Sequence, residues 1–344
     1  MDQQETQTEV NPTREQWLAL HHAFRSYCEA RPWERLANED VLVVNDPLGH
    51  FKGYCVALGD GGIAYGLGVY LGDRGLLNYL ATMTSEDEPC GVEALEWGVA
   101  LSAVLGDREE LGNGERKGMR ELGFRYRGRG RWPVFRSVIP GHWPWYLNGD
   151  EARFLTVALD NVRDVAERIG QGVLDLYADR DPSEALTRSL RDGVWRDEWS
   201  VLRPPALPAE DHRVDTDRLQ SISGSTPVGT AVWEVTASYI PTGVQDGRDT
   251  RPYLPTLVMV IESGSGLILT VRMLGRVPSA AERQEPVLEL LEQVDRLPGA
   301  VVCDREDTAA VLAPITRALD IGLYVGPTPA LDSIKNDLLA TILN

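Results

Sequence analysis

Between Phe124 and Tyr146 the chain reads FRYRGRGRWPVFRSVIPGHWPWY, its most unusual stretch in composition. Guanidinium groups bind phosphate and carboxylate through paired hydrogen bonds and stack on aromatic rings, so arginines interleaved with tyrosine and tryptophan suit anion recognition. The candidate residues are Arg125, Arg127, Arg129, Arg131, Trp132, Arg136, Trp143 and Trp145, with Arg116, Lys117 and Arg120 just before them. In a strand, Arg125, Arg127, Arg129 and Arg131 would share one face, where like charges repel unless something negative lies opposite. That counterion could be internal, making the run a clamp across the domain surface, or external, making it a docking face for nucleic acid or an acidic protein. Trp143 and Trp145 could stack bases, or plug a core edge beside Pro140 and Pro144.

Other catalytic chemistry is hard to find. No serine or cysteine nucleophile with an assembled base is visible, nor a glycine-rich phosphate loop. His21 and His22 are neighbours on an expected helix and cannot both face one metal, and His142 stands alone. Cys28, Cys55, Cys90 and Cys303 are scattered without zinc-ligand spacing, which points to reduced thiols. No catalytic residue is assigned and no cofactor is expected.

The 344 residues exceed what one core usually serves, so two domains are expected. A hydrophobic content of 43% with 25% charged residues fits a soluble globular protein, and no apolar run is long enough to cross a bilayer. The polar start MDQQETQTEV lacks a secretion signal, which suggests a disordered tail over 1–10 and a cytoplasmic location. A net charge of -18 opposes general affinity for nucleic acid unless basic groups are concentrated locally.

The first domain is expected over 11–202, as an α+β domain, an antiparallel sheet with helices. An amphipathic helix, capped by Thr13, covers 13–30. Strands follow at 40–46, 52–59 and 63–71, then a helix at 73–83, a strand at 95–105, a short charged helix at 114–122 and a long helix at 149–169. A further strand is expected within 194–202. Prolines and small residues mark a linker over 203–227. The second domain, 228–344, has strands at 231–240, 256–262 and 266–274, the last two joined by Ser263-Gly264-Ser265. Helices at 279–296, 307–319 and 329–342 then alternate with strands at 300–304 and 322–326, which calls for parallel strands in a mixed sheet.

These residues carry a resemblance. Pro32-Trp33, Gly53-Tyr54-Cys55, Gly66-Leu67-Gly68-Val69-Tyr70-Leu71-Gly72, Asp107-Arg108-Glu109-Glu110-Leu111, Arg127-Gly128-Arg129 and Trp132-Pro133-Val134-Phe135-Arg136 resemble a family of uncharacterised bacterial proteins that join two domains of unknown function. Pro140-Gly141, Pro144-Trp145 and the run from Pro298 to Leu331 extend the match over most of the chain. The family brings no established activity.

The ββαβαβα-type order of the second domain also resembles the ribonuclease H-like fold. That resemblance places carboxylates on the first and fourth strands, where Glu234 and Asp304 stand, and implies Mg²⁺ or Mn²⁺ with a third acid among Glu262, Asp332 and Asp337. Asp304 is also placed as a helix cap, and Glu234 could simply face solvent. The leading expectation is a non-catalytic protein that binds a protein or nucleic-acid partner; the alternative is a metal-dependent nuclease or its inactive descendant.

Overall fold

The computed structural model describes residues 11–84, 98–178, 181, 183–203, 205, 212–247 and 250–342. The expected tail, Cys90 and the start of the strand expected at 95 lie outside them. Two compact units are present, Met1–Pro140 with Pro144–Leu207, and Gly141–Trp143 with Pro208–Asn344. The fold is α+β with two mixed sheets of seven and five strands.

In the first unit, α1 (Arg14–Ala30) starts where Thr13 accepts from the Gln16 amide and Gln16 Oε1 accepts from the Thr13 amide, a reciprocal cap. The meander β1 (Leu42–Asn45), β2 (Lys52–Leu58) and β3 (Gly66–Leu71) follows, then α2 (Gly72–Thr84), β4 (Ala100–Gly106), α3 (Asn113–Glu121) and β5 (Trp132–Val138). The long α4 (Gly149–Gly170) leads to β6 (Glu184–Arg191) and β7 (Val194–Val201). The order across the sheet is β5-β4-β3-β2-β1-β6-β7. Every neighbouring pair is antiparallel except β1 and β6. That parallel pair makes the sheet mixed, because α4 carries the chain across the meander before β6 docks on β1.

Strand alternation divides the core. Leu42, Val44, Cys55, Ala57, Leu67 and Val69 point to the side where α1 and α4 bury Leu20, Phe24, Tyr27, Phe154, Leu155 and Leu159. Val41, Val43, Tyr54 and Val56 point the other way, onto Leu76 and Tyr79 of α2. At the β4–β5 edge a smaller core forms from Leu111, Met119 of α3 and Val134, with Phe124, Tyr126 and Trp132 packed on it. Asp46, just beyond β1, is tied to Arg153 of α4 by two hydrogen bonds of 2.6 and 2.8 Å. Its burial pushes the carboxyl pKa up, but hydrogen bonds from Arg153 and from the Leu48 and His50 amides outweigh that and leave it lowered.

The second unit begins with α5 (Thr216–Ser225), inside the stretch expected to be linker. Asp215 caps it and Leu219 and Ile222 are buried, a signal only one turn long amid breakers. Strands β8 (Val232–Tyr239), β9 (Thr256–Glu262) and β10 (Leu267–Leu274) are antiparallel. Then come α6 (Ala280–Gln293), β11 (Ala300–Cys303), α7 (Glu306–Ala318), β12 (Gly322–Val325) and α8 (Pro329–Ile342). The sheet order is β10-β9-β8-β11-β12, with β11 parallel to both of its neighbours. Helices cover both faces: Leu288, Leu291, Leu312 and Ile315 pack on Val235, Val258 and Val260, and Leu331 of α8 packs on Leu257, Met259 and Ile261.

Phe154 is fully buried and stacks on Phe51 at 5.2 Å. Phe154→Ala is expected to lower stability by roughly 3–5 kcal/mol, read as a fall in the urea midpoint at constant slope.

Candidate functional site

The arginine run is not a strand. Residues 124–131 form a loop, and β5 begins only at Trp132. Gly128 (φ 95°) and Gly130 (φ 58°) hold left-handed backbone, which a regular ladder does not accommodate. The expected alternation survives without the strand. Phe124 and Tyr126 turn inward and stack at 6.0 Å, while Arg125, Arg127, Arg129 and Arg131 are exposed.

His21 of α1 anchors the inward side. Its ring lies 4.7 Å from Phe124 and 5.1 Å from Phe135, and its Nδ1 is 3.2 Å from the Tyr126 hydroxyl. Burial, helped by the neighbouring His22, lowers the His21 pKa to about 4, so the ring is neutral and structural. Burial likewise pushes Tyr126 up to about 12. The outer end of the loop is held by Asp107, whose Oδ1 accepts from the Gly130 amide at 2.6 Å.

Two of the candidate arginines have acidic partners. Arg136 is clamped by Glu115 at 2.7 Å, donates to the Glu110 and Phe135 carbonyls, and lies over Tyr146 at 5.6 Å. Arg129 approaches Asp107 at 3.6 Å with its side chain 96% exposed, a contact of little strength. Among the described residues no carboxylate lies within ion-pairing distance of Arg125, Arg127 or Arg131. The internal counterion therefore exists for Arg136 and is missing for most of the run.

The loop and α3 enclose a cleft of about 650 Å³. Arg108, Arg116, Lys117, Arg120, Arg125 and Arg127 line it with Asn113, Met119, Phe124, Tyr126 and Trp132, and no carboxylate contributes. Arg116 is fixed by neutral acceptors, the Arg108 and Leu111 carbonyls at 3.1 and 2.9 Å and the Asn113 side chain. Arg120 Nε donates to the Arg116 carbonyl at 3.2 Å. Their positions are set while their charge stays uncompensated. Lys117 is ion-paired with the exposed Glu121 at 3.7 Å.

Trp132 lines this cleft, but Trp143 and Trp145 do not. Trp145 exchanges backbone hydrogen bonds with Ser137 of β5, whereas Trp143 belongs to the second unit, its amide donating to the Pro252 carbonyl at 2.9 Å. Arg108 was not expected: in the sequence it stands among Asp107, Glu109 and Glu110, and in the fold Glu110 Oε1 accepts from the Asp107 amide while the Asp107 carboxylate accepts from the Gly130 amide. Arg25 and Arg31 of the α1 region were also missed. They line a second cleft with Arg129 and Arg131, from about 100 residues away in the chain, and no local pattern marks them.

In the second unit the carboxylates expected on the first and fourth strands are otherwise engaged. Glu234 is buried rather than solvent-facing; it accepts from Ser263 Oγ at 2.8 Å and from the Leu331 amide at 2.8 Å, serving the first turn of α8. Asp304 is not the cap of α7. That position is Arg305, and Asp307 Oδ1 accepts from the Thr308 amide instead. Asp304 Oδ2 accepts from Thr236 at 2.7 Å and from the Lys335 ammonium at 3.0 Å, while its buried Oδ1 has no hydrogen-bond partner. The two carboxylates hold separate partners, and Lys335 supplies the positive charge facing Asp304. Among the described residues no group of three His, Cys, Asp or Glu is placed to hold a metal.

Two family models of unknown function match in succession, DUF7309 over residues 17–188 and DUF6930 over 218–339. The chain belongs to the DUF7309 family. No curated protein matches it. The basic cleft lies wholly within the DUF7309 domain, and the Glu234 and Asp304 side chains within the DUF6930 domain. Among the described residues no helix is long and apolar enough to cross a membrane.

Because His21 in the DUF7309 domain has a folded pKa below its ordinary 6.5, the unfolded chain binds more protons between about pH 6.5 and 4. Its contribution to stability is complete above about pH 6.5 and is lost as pH falls toward 4, with a slope of up to about 1.4 kcal/mol per pH unit. Denaturant titrations across this window should show a shallower pH slope for His21→Leu than for the parent chain; equal slopes would place the proton elsewhere.

Proposed function

We propose that this is a non-catalytic binding protein, and that its first domain captures an acidic or phosphate-bearing macromolecule in the cleft between α3 and the 124–131 loop. The carrying observation is that six cationic side chains line the cleft without a carboxylate, on a chain whose net charge is -18. A protein so rich in acids has counterions to spare, yet among the described residues only Lys117 of these six is paired with one, the exposed Glu121 at 3.7 Å. Arginines held by carbonyls lose little further freedom on meeting an anion, and the exclusion of nearby carboxylates keeps the local potential positive. The proposed setting is the bacterial cytoplasm, where the free thiols Cys28, Cys55 and Cys303 are at home.

The test is retention on heparin, which a protein of this net charge otherwise repels. The parent chain should bind at low salt. Arg120→Glu combined with Arg125→Glu should pass through unretained, with the melting temperature within about 2 °C because neither guanidinium touches the core. Equal retention of both proteins would remove the cleft as the binding site.

The strand order of the second domain, with three antiparallel strands followed by two parallel ones, supports a second reading as an inactive ribonuclease H-like descendant. Lys335 is the particular observation in its favour: its ammonium at 3.0 Å from Asp304 supplies the charge that a divalent cation would bring. Calorimetric titration of the parent chain with Mg²⁺ or Mn²⁺ should give no heat of binding at Asp304, and Asp304→Asn should leave any nuclease background unchanged. Metal binding that disappears in Asp304→Asn would restore the enzyme reading.

A further inference from the structure

A second cleft shares a wall with the basic one. Tyr126 lines both, the second of about 950 Å³, so the 124–131 loop is the ridge between them. Arg125 and Arg127 serve the first side, Arg129 and Arg131 the second. Arg25 and Arg31 add charge on the second side. Each is paired with an exposed acid that lines the same cleft, Arg25 with Glu29 at 3.4 Å and Arg31 with Glu34 at 3.1 Å, and such exposed pairs are weak and exchangeable. Trp33 and Tyr65 are in contact at 5.4 Å within the second cleft, and Tyr65 is 40% exposed.

We infer that the two clefts form one track for single-stranded nucleic acid, the backbone following the arginines over the loop and bases resting on the aromatic rings of the second cleft. This rests on the polyanion reading of the first cleft and names its ligand. Two observations favour single-stranded nucleic acid as that ligand. The two clefts together exceed the few hundred to roughly 1,000 Å³ of a site for a small ligand, which calls for an extended one. The exposed face of Tyr65, packed at a tilt on the half-buried Trp33, suits a flat base, and a peptide of aspartate and glutamate offers it nothing. Duplex is disfavoured because paired bases present no free faces to those rings.

The test is fluorescence anisotropy of the full chain with labelled oligothymidylates and oligouridylates of 4 and 12 nucleotides, a 12-base-pair duplex and a 12-residue polyglutamate. The 12-mers should bind at least tenfold tighter than the 4-mers and tighter than duplex or polyglutamate. Their affinity should fall with salt along a slope of about -3, as for roughly four neutralised phosphates on a single strand. Arg131→Glu, on the far side of the ridge, should weaken 12-mer binding tenfold or more and leave 4-mer binding within twofold; Tyr65→Ala should act in the same sense. Equal affinity for 4-mers and 12-mers, or no effect of Arg131→Glu, would overturn the track while leaving the first cleft intact. Tighter binding of polyglutamate would make the partner an acidic protein, and tighter binding of duplex would exclude base stacking; either overturns the inference. If none of these probes binds in a manner sensitive to Arg120→Glu with Arg125→Glu, the polyanion reading itself fails, and the track with it.

Discussion

The inward packing of Phe124 and Tyr126 is the constraint on which the site depends. Both rings settle beside His21, at 4.7 and 6.0 Å, where α1 meets the β5 edge. With both rings turned inward, Arg125 between them and Arg127 after them are left exposed. The neutral state of His21 belongs to the same arrangement, because an imidazolium among these rings would be a desolvated charge. What looks like a surface feature is therefore fixed from inside the first domain.

The acids around this loop are spent selectively. Glu115 goes to Arg136, Glu110 to the Asp107 amide, and Asp107 mainly to the Gly130 amide. Each fixes backbone or the base of the strand, and none reaches Arg125, Arg127 or Arg131. The same bookkeeping in the second domain gives the opposite result: Glu234 serves a serine and a helix amide, and Asp304 faces Lys335, so charges there are matched from within. One domain conserves an open positive surface while the other closes its polar groups on themselves.

Much of the fold could be read from periodicity. The helix capped by Thr13, the β1–β3 meander, the long α4 and the alternating elements after Gly229 all carry patterns at least two turns or four residues long. The parallel pairing of β1 with β6 could not be read, since it depends on where α4 returns the chain. Helix α5 was hidden because its two buried residues, Leu219 and Ile222, stand among turn formers. At the site, the alternation of aromatic and basic residues was legible, but its conformation was not: Gly128 and Gly130 turn a strand-like pattern into a loop. Arg25, Arg31 and Arg108 reach the clefts only through the tertiary fold, so no spacing could have announced them.

The central claim is that Arg125 and Arg127 of the loop are free of internal acids while Arg136 is not. Side-chain nitrogen NMR of the arginine Nε–H groups, recorded as inorganic polyphosphate is added, tests this most directly. Signals of Arg120, Arg125 and Arg127 should shift and their exchange with water should slow, while Arg136, held by Glu115, should stay in place. Unchanged signals for Arg120, Arg125 and Arg127, or an equal response from Arg136, would contradict the account.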